Sequence, residues 1–81
     1  MGIVLQLSGY DKNTETLAVE YPVPNARAAY VKQIARVPIS DPDVLGAYPL
    51  DESQVIQIAG DINTPLNPKL HDYFLEAYGD D

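Results

Sequence analysis

The sequence contains no cysteine and no tryptophan, and its 81 residues include only one histidine, one methionine and one phenylalanine. Without cysteine the chain can form no disulfide, no thiolate metal site and no cysteine nucleophile. The fold must therefore be held by packing alone, in a core that is small because short chains bury a modest share of their surface. These absences exclude the disulfide-stapled classes, and the length predicts one domain spanning residues 1–81.

Basic residues are also scarce, since five Lys and Arg face twelve Asp and Glu and the formal net charge is −7. Proteins that bind nucleic acid or an anionic membrane surface need Lys and Arg to meet the phosphates. We therefore expect neither nucleic acid nor membrane among the partners. An acidic surface attracts a basic protein, although acidity can also serve solubility alone.

Long apolar segments are missing as well. No run approaches the ~20 residues of a membrane-spanning helix. The first residues, Met1-Gly2-Ile3-Val4, lack the basic region with which a signal peptide begins. These two observations together predict a cytoplasmic protein.

Alternation with a period of two predicts three strands. Residues 3–8 form the first strand, and residues 17–21 return as the second after a turn at 11–14, where Asn13 can tolerate the left-handed conformation that a hairpin loop often needs. Pro22 and Pro24 end the second strand, because proline cannot donate to a ladder. The segment His71 to Tyr78 forms the last strand.

Two helices are predicted between the second and the last strand. Asn25 is expected to cap a helix from Ala26 to about Val37, and Tyr30 is expected to lie in its core stripe. Asp51 and Gln54 form a capping-box pattern that begins a second helix, which is expected to end near Gly60. The order β-β-α-α-β predicts an α+β fold, in which an antiparallel sheet carries both helices on one face.

Catalytic equipment is not evident in the sequence. His71 has no Cys or Ser motif around it and is expected to be a strand-face residue. The segments Asp41-Pro42-Asp43 and Asp61-Ile62-Asn63 space oxygen ligands as calcium loops do, but they lack the following Gly and the distal Glu. Turn and cap chemistry explains both segments better. We therefore expect no enzymatic activity, no metal and no cofactor.

Tyrosine is the anomaly of the composition, since six Tyr stand against a single Phe. A tyrosine in a small core needs its hydroxyl at the edge, and tyrosine is also a frequent interface anchor. Tyr21 and Tyr30 are predicted to be core residues. Tyr10 and Tyr78, which lie close to acidic residues, are predicted to be interface residues.

The two ends of the chain resemble the immunity proteins of cloacin-type, ribosome-cleaving colicins. The resemblance lies in the opening Met1-Gly2 and its alternating strand, in the turn Tyr10-Asp11-Lys12-Asn13-Thr14-Glu15, in Asp72-Tyr73-Phe74, and in the acidic tail Asp80-Asp81. The opening also looks like that of small proteins encoded beside polymorphic bacterial toxins. The resemblance covers about residues 1–21 and 70–81, and the two helices between them do not follow the cloacin pattern.

The resemblance implies an immunity protein that binds a basic nuclease toxin domain, most simply an RNase. Such a protein can fill the active cleft with carboxylates, or it can bind beside the cleft and block the substrate by charge and bulk. Phe74 shares a strand side with Asp72 and Glu76, so it must join the interface or lie near an edge. A generic acidic interaction module or adaptor without a toxin partner remains an alternative, and the acidic loop from Asp41 to Glu52 is a second candidate surface. The residues predicted to contact the partner are Tyr10, Asp11, Glu15, Glu20, Asp72, Glu76, Tyr78 and Asp80.

Overall fold

The protein is described by a computed structural model, which covers the backbone of residues 2–41 and 43–80 and the side chains of residues 4–41 and 43–77. In chain order the elements are β1 (Gly2–Asp11), β2 (Leu17–Pro22), a 3-10 turn (Asn25–Arg27), α1 (Ala28–Ala35), β3 (Tyr48–Pro49), α2 (Glu52–Asp61) and β4 (His71–Asp80). The predicted α+β class is confirmed, with one additional strand between the helices.

The four strands form an antiparallel sheet in the order β2-β1-β4-β3. The two central strands, β1 and β4, pair along their whole length, from Gly2 opposite Asp80 to Asp11 opposite His71. β3 is a two-residue edge strand that the sequence did not predict. Its Pro49 fits that place, because an edge strand can spare a backbone donor.

The core lies between the sheet and the helices. Leu7 and Leu75 from the central strands are fully buried, and so are Val31 from α1 and Ile58 from α2, all within one apolar cluster. Both helices therefore cover the same face of the sheet, as predicted. Gly9 belongs to this face, where a Cβ atom would approach the Tyr73 ring to 2.8 Å, so only glycine lets the ring lie this close to the strand.

The hairpin between β1 and β2 is organised by Asp11. Its Oδ1 atom accepts hydrogen bonds from the backbone N–H of Asn13 at 2.8 Å and of Thr14 at 3.0 Å, which is the Asx turn expected of an aspartate here. The left-handed residue of the turn is Glu15, with φ of 58°. Asn13, which can tolerate this conformation, does not adopt it.

α1 differs from its prediction at both ends. Asn25 makes no side-chain cap and belongs to the 3-10 turn that precedes the helix. Within α1, Val31 and Ala35 are buried, whereas Tyr30 is 53% exposed. Tyr30 is therefore not a core residue, whereas Tyr21 does pack against the core.

α1 ends earlier than Val37, at a Schellman-type C-cap. Arg36 has a left-handed φ of 61°, its N–H donates to the Gln33 carbonyl at 3.1 Å, and the Val37 N–H donates to the Lys32 carbonyl at 3.0 Å. Glycine is the usual residue at this position, so the arginine carries a conformational cost.

α2 begins as the sequence predicts. The Gln54 N–H donates to Asp51 Oδ1 and the Asp51 N–H donates to Gln54 Oε1, both at 2.8 Å, which completes the capping box. Gln54 Nε2 also donates to the Ile34 carbonyl of α1 at 2.9 Å. One side chain thus caps α2 and joins it to the end of α1.

Candidate functional site

The face of the sheet opposite the helices carries most of the residues that were predicted to bind a partner. Because side chains alternate along a strand, the burial of Leu5 and Leu7 toward the helices places Gln6, Ser8 and Tyr10 on the opposite face. The same alternation places Asp72, Phe74 and Glu76 of β4 there. The β1–β4 register sets Tyr10 opposite Asp72 and Ser8 opposite Phe74, so the two sets of side chains meet.

A cavity of about 290 Å³ opens on this face, and we call it the acidic hollow. Five of the eight predicted partner-binding residues line it: Tyr10, Asp11, Glu15, Asp72 and Glu76. Phe74 and Ala47 complete the lining. Phe74 is half-buried and its ring meets the Tyr10 ring edge to face, with 5.6 Å between the centroids. The hollow thus has an aromatic wall among four carboxylates.

Glu76 is the most firmly positioned of these carboxylates. Its Oε1 atom accepts a 2.6 Å hydrogen bond from Ser8 Oγ, and the Tyr10 hydroxyl lies 3.4 Å from its Oε2 atom. Ser8 is fully buried, and it accepts in turn from Gln6 Nε2 at 2.9 Å. A chain of hydrogen bonds across the two central strands therefore fixes the position of the Glu76 carboxylate.

The electrostatics of the hollow are reflected in two pKa shifts. Burial, and then the negative charge of Glu76, raises the pKa of the Tyr10 hydroxyl. The backbone N–H groups of Thr14 and Asn13 lower the pKa of the Asp11 carboxyl. Tyr10 therefore stays a neutral donor and Asp11 stays ionised at neutral pH.

One cation lies beside the hollow. Lys12 Nζ is 2.5 Å from Asp72 Oδ1, and both side chains are substantially exposed, at 42% and 58%. An exposed pair of this kind contributes little to stability, because water screens it. A basic group from a partner can therefore replace Lys12 at Asp72 at little cost.

Three of the predicted partner-binding residues lie elsewhere. Glu20 is on the same face, opposite Ser8, but it accepts a 3.0 Å hydrogen bond from Gln6 and does not line the hollow. Tyr78 and Asp80 belong to β4 by their backbone, and their side chains lie outside those that the structure describes. Their predicted role stays a prediction.

Three residues in or beside the hollow were not among the predicted site residues. Ser8 and Gln6, which hold Glu76 in position, lie on the same side of β1 as Tyr10. The alternation of side chains along β1 was sufficient to place them there. No sequence pattern placed Ala47 at the hollow, because Ala47 lies in the loop that leads into β3. A small apolar residue in a loop gives no pattern to recognise.

The loop that contributes Ala47 is held by one carboxylate. Asp41 Oδ1 accepts from the Leu45 N–H at 2.8 Å, while Oδ2 accepts from the Gly46 N–H at 3.2 Å and from the Tyr48 hydroxyl. Led by the Tyr48 hydrogen bond, these donors lower the pKa of Asp41. Asp41 therefore acts as a turn-forming residue, as the sequence indicated.

The site offers binding chemistry: fixed carboxylates, a neutral phenol donor and two aromatic rings. Among the residues that the structure describes, no three His, Cys, Asp or Glu side chains are grouped so that they could hold a metal ion. Neither described helix combines the length and apolar character that crossing a membrane requires.

Comparison with known proteins identifies a family for this chain. The family model described as a domain of unknown function, DUF7683, matches residues 5–76, which include every described residue of the acidic hollow. No curated protein and no solved structure matches the chain.

Proposed function

The chain belongs to the DUF7683 domain family, and we propose that it is an immunity protein, which binds a basic bacterial nuclease toxin through the acidic hollow. The toxin would most simply be an RNase. An RNase binds phosphates, so its active cleft is basic, and carboxylates at phosphate-like positions can occupy such a cleft. In this proposal the protein acts in the cytoplasm, where the RNA is, and performs no catalysis.

The observation that carries the proposal is the gathering of Asp11, Glu15, Asp72 and Glu76 around one hollow with Tyr10 and Phe74. Charged groups on an interface steer the encounter and select the partner, while buried aromatic anchors supply much of the affinity. The hollow contains both kinds of group. The net charge of −7 extends the attraction beyond the hollow itself.

The fixed position of Glu76 supports a tight interaction. A carboxylate that is already oriented by Ser8 and Tyr10 loses little conformational freedom when it binds. Once the partner covers it, the carboxylate must be paired, because an unpaired buried charge is costly. Arg or Lys from the toxin cleft would provide that pairing.

The first test is co-expression. The gene immediately upstream is expressed in a bacterial host with and without this protein, and growth is measured. We expect the upstream product to arrest growth and this protein to restore it. If the upstream product is harmless, or if growth is not restored, the toxin partner is excluded and the generic acidic interaction module becomes the better explanation.

The second test locates the binding face. Dissociation constants for the upstream product are measured with Glu76→Ala, Asp72→Ala and Tyr10→Ala, and with Gln57→Ala as a control at an exposed residue on α2 outside both candidate surfaces. A carboxylate that is desolvated in the complex should cost about 2–5 kcal/mol on truncation. If the three hollow variants bind as tightly as the control, the hollow is not the inhibitory face.

A further inference from the structure

Leu45 is an exposed aliphatic side chain in a structured loop. It is 87% exposed, whereas the preceding residue, Val44, is 1% exposed and belongs to the core cluster. Both lie in the segment that we call the Asp41 loop, residues 38–41 and 43–47. The loop therefore buries one aliphatic side chain and presents the next one to solvent.

The backbone that presents Leu45 is strained and tightly held. Val44 has a left-handed φ of 54°, which is rare for a β-branched residue. Its N–H donates to the Asp41 carbonyl at 3.1 Å, and the Asp41 carboxylate accepts from the N–H groups of both Leu45 and Gly46. Strain of this kind persists only where the surroundings enforce it, and it is frequent at binding sites.

Leu45 lies on the rim of a second hollow of about 280 Å³. The Asp41 loop contributes Leu45 and Gly46 to the lining of this cavity, and the sheet contributes Gln6 and Ala77. Ala47 and Glu76 line this second hollow as well as the acidic hollow. The exposed leucine, the second hollow and the acidic hollow therefore form one continuous surface.

We propose that Leu45 is the apolar anchor through which this protein holds its basic partner, which covers Leu45 and places a side chain in the second hollow. The inference rests on the proposed function and names a second part of the same interface. Binding energy concentrates on side chains that the partner covers fully and shields from water, and an aliphatic side chain that is covered in this way also contributes its buried apolar area.

Charge decides which partner fits this surface. Glu76 lines both hollows, exposed Asp43 lies two residues before Leu45 in the same loop, and no Lys or Arg lines either hollow among the residues that the structure describes. A second copy of the chain would bring another net charge of −7 against the same face. A basic protein gains from the same charges that would repel a second copy.

The test uses the product of the upstream gene, separated from this protein under denaturing conditions and refolded, as the probe. Its dissociation constant is measured with wild type, Leu45→Ala and Leu45→Asp. Ile56→Ala is the matched control, because Ile56 is a 61% exposed aliphatic residue on α2 that lines neither hollow. We expect Leu45→Ala to weaken binding by ~10-fold or more and Ile56→Ala to leave it unchanged.

Several outcomes would overturn the inference. If Leu45→Ala and Leu45→Asp bind like the control while Glu76→Ala binds weakly, the anchor is wrong and the proposed function stands. If wild type does not bind the probe at all, the proposed function fails, and the anchor fails with it. If sedimentation shows a dimer that Leu45→Asp disrupts, the leucine is covered by a second copy instead. Thermal melting of each variant confirms that the fold is intact.

Discussion

The hydroxyl of Ser8 in β1 reaches diagonally across the centre of the sheet and donates to the carboxylate of Glu76 in β4, with 2.6 Å between Oγ and Oε1. The residue directly opposite Glu76 is Gln6, whose amide donates to the same serine. A buried hydroxyl is thereby satisfied as donor and as acceptor. The two central strands are joined on this face by a polar network, and on the other face by the leucine core.

Replacement of Ser8 by Ala should destabilise the protein, because it removes a hydrogen bond to a charged group in a buried position. We expect the free energy of unfolding to fall by about 1–2 kcal/mol, measured by urea denaturation. Ser40→Ala, at an exposed loop position, is the control. If both variants unfold at the same urea concentration, the Ser8–Glu76 hydrogen bond contributes nothing to stability.

Replacement of Lys12 by Gln should accelerate association with a basic partner, because it leaves Asp72 unpaired and makes the hollow more negative. Stopped-flow association with the upstream gene's product should show the gain at low salt. It should be lost as salt rises, since the screening length is ~8 Å at physiological ionic strength.

The control for that variant is Lys69→Gln, which removes the same charge from an exposed residue that does not line the hollow. If the two variants associate at the same rate, the effect belongs to net charge and not to Asp72. If the association rate does not change with salt, electrostatic steering is excluded.

The pKa of Asp41 should depend on the Tyr48 hydroxyl, which is the main cause of its lowering below 3.8. A carboxyl whose folded pKa is lowered stabilises the fold above its unfolded pKa, and this contribution is lost as pH falls through the folded pKa. In Tyr48→Phe, NMR titration of the Asp41 carboxyl carbon should give a pKa closer to 3.8, and the protein should lose less stability on acidification. An unchanged titration would show that the backbone donors of the Asp41 loop suffice.

Replacement of Asp51 by Ala should destabilise α2, because it leaves the Gln54 N–H without its capping acceptor. The expected loss is about 0.5–2 kcal/mol in the free energy of unfolding, visible as a lower melting temperature. Gln57→Ala, an exposed change within the same helix, is the control. Equal melting temperatures for the two variants would contradict the importance of the cap.

Replacement of Arg36 by Gly should stabilise the protein, because glycine adopts the left-handed C-cap conformation without the clash of a Cβ atom. We expect a gain of about 0.5–1 kcal/mol in the free energy of unfolding, allowing for the greater freedom of glycine in the unfolded chain. Arg36→Ala removes the same charge but keeps the Cβ atom, so it should not stabilise. If the two variants are equally stable, the gain does not come from the backbone.

The sequence correctly predicted the elements that depend on interactions between residues close together in the chain. Alternation is sufficient for β1, β2 and β4, and the pair Asp51 and Gln54 is sufficient for the start of α2. β3 has two residues, one of them proline, so it has no period to detect. Tyr30 was misplaced because α1 buries the side on which Val31 and Ala35 lie, and neighbouring residues of an α-helix point in directions about 100° apart.

Most residues of the candidate site could be predicted from the sequence, but the way in which they lie together could not. Strand parity placed Asp72, Phe74 and Glu76 on one side of β4, and the structure agrees. The pairing of β1 with β4, which sets Tyr10 opposite Asp72, is a long-range contact that the alternation of each strand cannot determine. The Asp41 loop reaches the hollow because β3 pairs with β4, and this pairing is also a long-range contact that local patterns cannot predict.

The central position of β1 and β4 has a consequence for how the protein is made. These two strands are the longest pair in the sheet and lie at opposite ends of the described chain, so they close a loop of almost the whole domain. Such non-local pairing slows folding, since the entropy of closure is lost before the contacts form. During synthesis β1 can pair only with β2 until β4 has left the ribosome. Because the acidic hollow is built from β1 and β4 together, it can form only after β4 has left the ribosome and paired with β1.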